Sequence, residues 1–269
     1  MGFMRIRHGW MRAVAGPADN GCLGEKIKVN ERICRQNGVF QHLKSTGPQT
    51  AVLHKTPESC HERRLENQAP TRPPWCARVR LQVSYVSRAP VTDLVAEGDI
   101  VKSAIRKRPV EGPVAVRLMG LQGDEQADLS AHGGVSKAVY AYPHEHYAFW
   151  QTVRAQAGVA AWGDALAPGS LGENLTLQGL LETDLFVGDQ LRLPNCLLAV
   201  SQPRLPCFKL NAALGFRHAV AMMSQSGYCG SYLVVLRAGT VTAGDPVQCL
   251  PGPREVNIRE LFFSRMRRG

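Results

Sequence analysis

A mainly β fold with a few helices is what this sequence predicts, on three observations. Short apolar runs of strand length recur at residues 81–86, 114–118, 135–142, 197–200 and 232–236, and 81–86 alternates apolar and polar as a half-buried strand does. Glycine and proline punctuate the gaps, at Gly120, Gly123, Gly188, Gly239 and Gly244, which cuts the chain into the short pieces of a sandwich or barrel. Helical spacing of apolar residues is confined to a few places.

Residues 1–80 differ in texture from the rest of the chain. Arg, His, Pro, Gln and Cys are scattered there with no sustained period, and Pro70, Pro73 and Pro74 close the segment. Such a stretch buries too little apolar surface to offset the entropy of ordering it. Three readings fit: a disordered extension, an Arg-rich transit peptide, or translated sequence ahead of a real start near Val83 or Val86. The last is favoured.

The strands begin with 81–86. Ile100, Val101, Ala104 and Ile105 come next, then the basic patch Arg106-Lys107-Arg108 and Pro109, then the strand at 114–118. Gly120 and Gly123 turn the chain into Gly123-Asp124-Glu125. After His132-Gly133-Gly134, the run 135–142 reads as one strand. Pro143 suits the first position of a helix with Glu145 in its first turn, and His146, Phe149 and Trp150 share a face. Residues 187–193 read as a hairpin turn feeding a strand. Phe216, Val220 and Met223 have helical spacing, 232–236 and 244–250 form a last pair of strands, and 256–263 begins a helix.

The 269 residues carry a net charge of +10, which first points to nucleic acid or membrane. Its distribution argues otherwise. Residues 1–80 hold 14 basic and 6 acidic side chains and 254–269 hold 5 and 2, which leaves 81–253 near −1. The basic character lies in the ends, so a nucleic-acid partner is not expected. No apolar run approaches the ~20 residues of a membrane helix, and no apolar leader opens the chain. With no C-x-x-C among its eight cysteines, the chain reads as cytoplasmic with reduced thiols.

One stretch concentrates chemistry: Ser201-Gln202-Pro203-Arg204-Leu205-Pro206-Cys207-Phe208-Lys209-Leu210. Pro203 and Pro206 lack N–H donors and have fixed φ, so the ladder of the preceding strand stops there. Cys207 then sits on a stiff loop between Arg204 and Lys209, and two cations nearby favour thiolate, the form that binds soft metals. A buried, inert cysteine is the competing reading. His132 and His146 are, taken alone, more often structural than catalytic. Glu173 and Asn174 beside Gly172 serve either a turn or a ligand.

Taken in order, four motifs resemble the MOSC domain, and more narrowly its YiiM-like members, over residues 83–252. They are Gly123-Asp124 with His132-Gly133-Gly134; Tyr142, Glu145, His146 and Tyr147; Gly172-Glu173-Asn174-Leu175; and Val200 to Leu210 around Cys207. The resemblance implies a β-barrel-like domain that binds the molybdenum cofactor, Mo-molybdopterin, with Cys207 as the thiolate ligand to the metal. It implies Arg204 and Lys209 at the cofactor's anionic end, with Ser201, Lys137, Tyr142 and Asn174 in the pocket wall. His132 and His146 are candidates for proton delivery. The implied activity is reduction of N-hydroxylated small molecules such as hydroxylaminopurines, with electrons from a donor protein; the alternative is a non-catalytic cofactor carrier or sulfur-delivery protein. Two departures stand out. Where the family shows Ser/Thr-Gly-Arg-x-Gly and an aromatic, this chain has Ser226-Gly227-Tyr228-Cys229-Gly230-Ser231. YiiM-like proteins add a small helical domain, of which 253–269 resembles a remnant. One helix cannot bury its own apolar face, so Leu261, Phe262 and Phe263 either dock on the barrel or belong to a truncated form.

Overall fold

The structure, a computed structural model, describes residues 80–129 and 132–268. The readings made for residues 1–80 lie almost wholly outside them. Thirteen strands and four α-helices succeed one another along the described chain. The strands are β1 Gln82–Arg88, β2 Thr92–Ala96, β3 Asp99–Ser103, β4 Arg108–Pro109, β5 Val114–Arg117, β6 Gly120–Leu121, β7 Val139–Pro143, β8 Leu175–Gln178, β9 Gln190–Arg192, β10 Leu197–Pro203, β11 Ser231–Arg237, β12 Gly239–Val241 and β13 Gln248–Leu250. The helices are α1 Tyr147–Gln156, α2 Lys209–Leu214, α3 Ala219–Ser226 and α4 Ile258–Met266.

An eight-stranded sheet in the order β13-β9-β10-β11-β7-β8-β1-β4 forms the body. The strand order does not close into a ring. The chain just ahead of β13 nevertheless bonds to β1: Gly244 N donates to Val83 O (2.7 Å), Val83 N to Asp245 O (2.9 Å) and Val247 N to Leu81 O (2.9 Å). The sheet therefore curls until the loop before β13 meets β1, a barrel-like form that loop contacts bridge without closing the ladder. Val83, Val86, Val139, Leu175, Leu191, Leu198 and Leu233 fill its inside. Only β7 and β8 pair in parallel, because α1 lies between them in the chain and a parallel pair needs such a crossover.

The hairpin β2–β3 turns through Glu97 and Gly98, both at positive φ (54° and 90°), as the tightest hairpin turns require. Leu94, Ala96 and Ile105 pack with Val101, Ala212 and Ala213. This small second core ties the hairpin to α2 and aligns residues 103–107 with the cysteine loop.

Three expected elements differ in detail. The run 135–142 divides into a 3-10 turn, Val135–Lys137, and β7. Gly134 before it has φ 88°, which leaves the turn's first residues out of the sheet. Pro143 ends β7, and the helix waits for a further 3-10 turn at His144–His146. The last strands do not pair with each other: β11 lies between β10 and β7, and β13 joins β9. The strand into Ser201 runs on to Pro203, where its ladder stops.

The C-terminal helix docks. Asn257 and Glu260 form a capping box at its start, Ile258 and Phe262 are fully buried in the main core, and Phe263 lies against Gly227. Arg265 Nη1 donates to Gln202 Oε1 at 2.7 Å, which fastens α4 to the strand carrying the cysteine motif. Among the described residues, no helix is long and apolar enough to cross a membrane.

Candidate functional site

Where β7, β10 and β11 lie side by side, Tyr140 and Tyr232 are cross-strand partners, with ring centroids 5.4 Å apart. Arg204 comes directly after the end of β10. Its guanidinium lies 5.2 Å from the centre of the Tyr140 ring and acts on the Tyr232 hydroxyl. The Tyr232 hydroxyl is 3.2 Å from His132 Nδ1. These groups line an open cleft. Residues 103–107 form one wall, and 124–128 with Asn174 another. Cys207, half-buried, lines the cleft with Lys209, on the loop that leads into α2.

Four cations, Lys107, Lys137, Arg204 and Lys209, and three acids, Asp124, Glu125 and Asp128, line the cleft, and they are unevenly matched. Lys107 and Asp124 form a buried ion pair. Asp124 also accepts from Ala89 N (2.9 Å) and from Asn174 Nδ2 (2.9 Å), so three segments hold it. Lys209 Nζ donates to the Lys102 carbonyl at 2.9 Å. Arg204 is 4 % exposed, yet among the described residues no carboxylate lies within ion-pair distance of it. A buried charge without a counter-charge is costly, so this guanidinium is prepared for an anion.

The same field acts on its neighbours. Burial first, then the Arg204 and Lys137 charges, pull His132 down to about 4. The imidazole is therefore neutral at pH 7, with Nδ1 in hydrogen-bond contact with the Tyr232 hydroxyl. Burial lowers Lys107 although Asp124 opposes it. Burial and then Arg265 lower Lys137. Tyr140 and Tyr232 are raised, chiefly by burial, and stay protonated.

Of the residues singled out in the sequence, Cys207, Arg204, Lys209, His132, Lys137 and Asn174 line this cleft. Ser201, Tyr142 and His146 do not. Ser201 Oγ lies 2.6 and 2.9 Å from the Ser136 and Tyr232 carbonyls, pinning the turn before β7 to the sheet. Tyr142 is fully buried, accepts from Trp150 Nε1 (2.7 Å) and donates to Tyr228 O (3.0 Å). His146 Nε2 donates to Glu182 Oε2 at 2.7 Å, and its ring stacks on Tyr228 with centroids 3.8 Å apart. Tyr228, in the stretch where the resemblance leads one to expect an arginine, packs against a histidine.

Sequence reasoning missed Lys107, Tyr140 and Tyr232 as cleft residues. Lys107 sits in a run of three cations that reads as solvated, and both tyrosines sit in runs that read as core. Glu173 proved structural. It is fully buried, accepts from Tyr147 Oη and from the Gly169 and Leu171 amides (2.8 and 3.1 Å), and burial raises it above the usual carboxylate range. It holds the loop that presents Asn174, which accepts from Tyr140 N at 3.0 Å while donating to Asp124.

The geometry defines a β-rich domain with an open cleft lined by Cys207 and by the buried Arg204. The MOSC domain profile matches residues 128–248. The YflK protein of Bacillus subtilis is 39 % identical over 164 residues, which is 61 % of this chain and 71 % of that protein. A reductase of Gibberella moniliformis is 35 % identical over 159 residues, 59 % of this chain but 27 % of that protein. Among solved structures, YiiM from Geobacillus stearothermophilus superimposes with a TM-score of 0.56 at 29 % identity, over 70 % of this chain and 85 % of that one. The chain belongs to the MOSC domain family.

Proposed function

We propose that this protein is a molybdenum-cofactor oxidoreductase that reduces N-hydroxylated small molecules, hydroxylaminopurines among them, with electrons from a partner protein. The observation that carries the reading is Arg204, buried beside Cys207 in the cleft without a carboxylate partner among the described residues. A group that brings both an anion and a thiophilic metal satisfies both residues at once. Among the described residues no cluster of three or more His, Cys, Asp or Glu could hold a metal. A metal bound here therefore arrives with most of its ligands, as one carried on a pterin dithiolene does.

In this reading Cys207 supplies the protein's thiolate to the metal. Arg204 holds the anionic end through its planar fork, and Lys209 and Lys137 add point charges. The cofactor, when bound, supplies two-electron exchange with the substrate. Asn174 fixes the wall, and His132 contributes a neutral N–H donor. The reductase of Gibberella moniliformis, similar over this stretch, agrees with an oxidoreductase. The chain is expected in the cytoplasm, where the cofactor is made.

Metal analysis tests the reading. Protein purified from a host competent in cofactor synthesis is expected to carry molybdenum, and Cys207→Ala to lose it. Metal-free protein from such a host would count decisively against it. Reduction of hydroxylaminopurine by an artificial electron donor separates an enzyme from a carrier.

A further inference from the structure

Lys107 is buried, lines the cleft and lies ahead of the matched span 128–248. Its side chain is 7 % exposed, and its partner Asp124 is 6 % exposed. A buried pair of this kind gives little net stability, so its place in the cleft calls for another account. An ammonium has three donors. One goes to Asp124 Oδ1, and among the described residues it has no second hydrogen-bond acceptor. The carboxylate is the immobile partner, held by Ala89 N and by Asn174 Nδ2, each at 2.9 Å. Asn174 is set in turn by its bond to Tyr140 N and by the loop pinned at Glu173. The chain of contacts from Glu173 through Asn174 and Asp124 thus ends at one ammonium facing the space where a ligand binds.

We propose that Lys107, positioned by Asp124, is the general acid that protonates the departing oxygen of an N-hydroxylated substrate in this cleft. The proposal rests on the function proposed above. The balance is R–NH–OH + 2 e⁻ + 2 H⁺ → R–NH₂ + H₂O. The N–O bond breaks, and its electron pair leaves on oxygen. Lys107 gives that oxygen the proton that completes water. The nitrogen takes two electrons from the external donor, reduced viologen in the assay, and a proton from solvent, which also returns the proton to Lys107. The charged groups around Lys107 are Asp124, Glu173 and Arg204. Burial outweighs the two carboxylates and leaves the ammonium a stronger acid than a surface lysine, the direction that favours donation.

The test compares wild type with Lys107→Arg, Lys107→Met and the double variant Lys107→Met/Asp124→Asn, which strands no buried carboxylate. The rate with reduced viologen is expected to fall on the alkaline side in wild type. Lys107→Arg keeps the charge but releases no proton; it and Lys107→Met are expected to lose about 10²–10⁴-fold in kcat, the usual contribution of a general acid, with molybdenum content unchanged. Lysine NMR on the isotope-labelled wild type is expected to show Lys107 titrating below the ordinary ~10.4. Three results overturn the proposal alone: full activity in Lys107→Arg, loss of molybdenum in Lys107→Met (which makes the lysine a cofactor anchor), or titration at or above the ordinary value. A wild type that carries no molybdenum and reduces nothing removes the parent reading, and the proposal with it.

Discussion

Replacing Arg204 by methionine separates binding from folding. The side chain is 4 % exposed with no carboxylate partner among the described residues. Methionine of similar length removes the charge and keeps most of the packing. Three quantities decide the stability of the ligand-free protein. Loss of the stacking over Tyr140, 5.2 Å away, costs about 1–2 kcal/mol. Loss of its polar contact with the Tyr232 hydroxyl costs at most about 1–1.5 kcal/mol. Against these stands relief of the desolvation of a buried cation, worth several kcal/mol. The ligand-free variant should therefore be as stable as wild type or more stable by about 1–2 kcal/mol. Loss of a buried charge that pairs with an anion costs about 2–5 kcal/mol of binding, so cofactor retention should fall by roughly 30- to 3000-fold at about 1.4 kcal/mol per decade. Urea unfolding of metal-free protein gives the first number, and molybdenum content after dialysis gives the second. A variant that loses more than about 3 kcal/mol without ligand would make Arg204 a structural residue and refute the argument.

Cys207→Ser should leave the unfolding midpoint nearly unchanged, since the thiol is half-buried, while molybdenum content drops to background. His132 is pulled down to about 4, so below the unfolded value of about 6.5 the unfolded chain binds a proton that the folded one does not. Stability should fall as pH drops from about 6.5 to 4, by at most about 1.4 kcal/mol per pH unit; His132→Gln should lose that slope, and parallel wild-type and variant curves would exclude it. His146→Phe leaves Glu182 without its 2.7 Å partner and should cost about 1–3 kcal/mol, with metal content unchanged in the protein that folds. Gly230 has φ 64°, and a Cβ there would stand 2.5 Å from the Ala141 carbonyl oxygen. Gly230→Ala should therefore destabilise by about 1–3 kcal/mol or more, read as a lower urea midpoint.

How much could be read in advance depends on the range of the forces. Strand β10 and its stop at Pro203 depend on neighbours in sequence, so the cysteine loop was legible, and Cys207, Arg204 and Lys209 do share the cleft. The helical face containing Trp150 was legible for the same reason. The strand after Gly188 was too, but its pairing with β10 and the place of β11 between β10 and β7 were not, because pairing between strands leaves no local pattern. Within the site, His146 and Tyr142 were misplaced for a definite reason. They lie in the same family motif, but Tyr142, buried in β7, bonds to Trp150, and the turn at His144–His146 brings His146 to Glu182. The Lys107–Asp124 pair was invisible because its members are 17 residues apart and meet only through β1 and the loop before β7.

Net charge is a poor guide to this site, and the reason is geometric. The span 81–253 carries about −1, yet Lys107, Lys137, Arg204 and Lys209 line one cleft together with Asp124, Glu125 and Asp128. Of these, Lys107 is neutralised by Asp124 and Arg204 by no carboxylate among the described residues. In a low-dielectric cleft a single unpaired guanidinium acts more strongly than several solvated cations on a tail. The effect is visible in His132, which Arg204 helps to keep neutral. An anion bound at Arg204 would remove part of that field and raise the affinity of His132 for a proton. Ligand binding at about pH 5 should then take up protons, which calorimetry in buffers of different ionisation heat can count. Binding with no proton uptake would mean that the anion lies elsewhere than at Arg204.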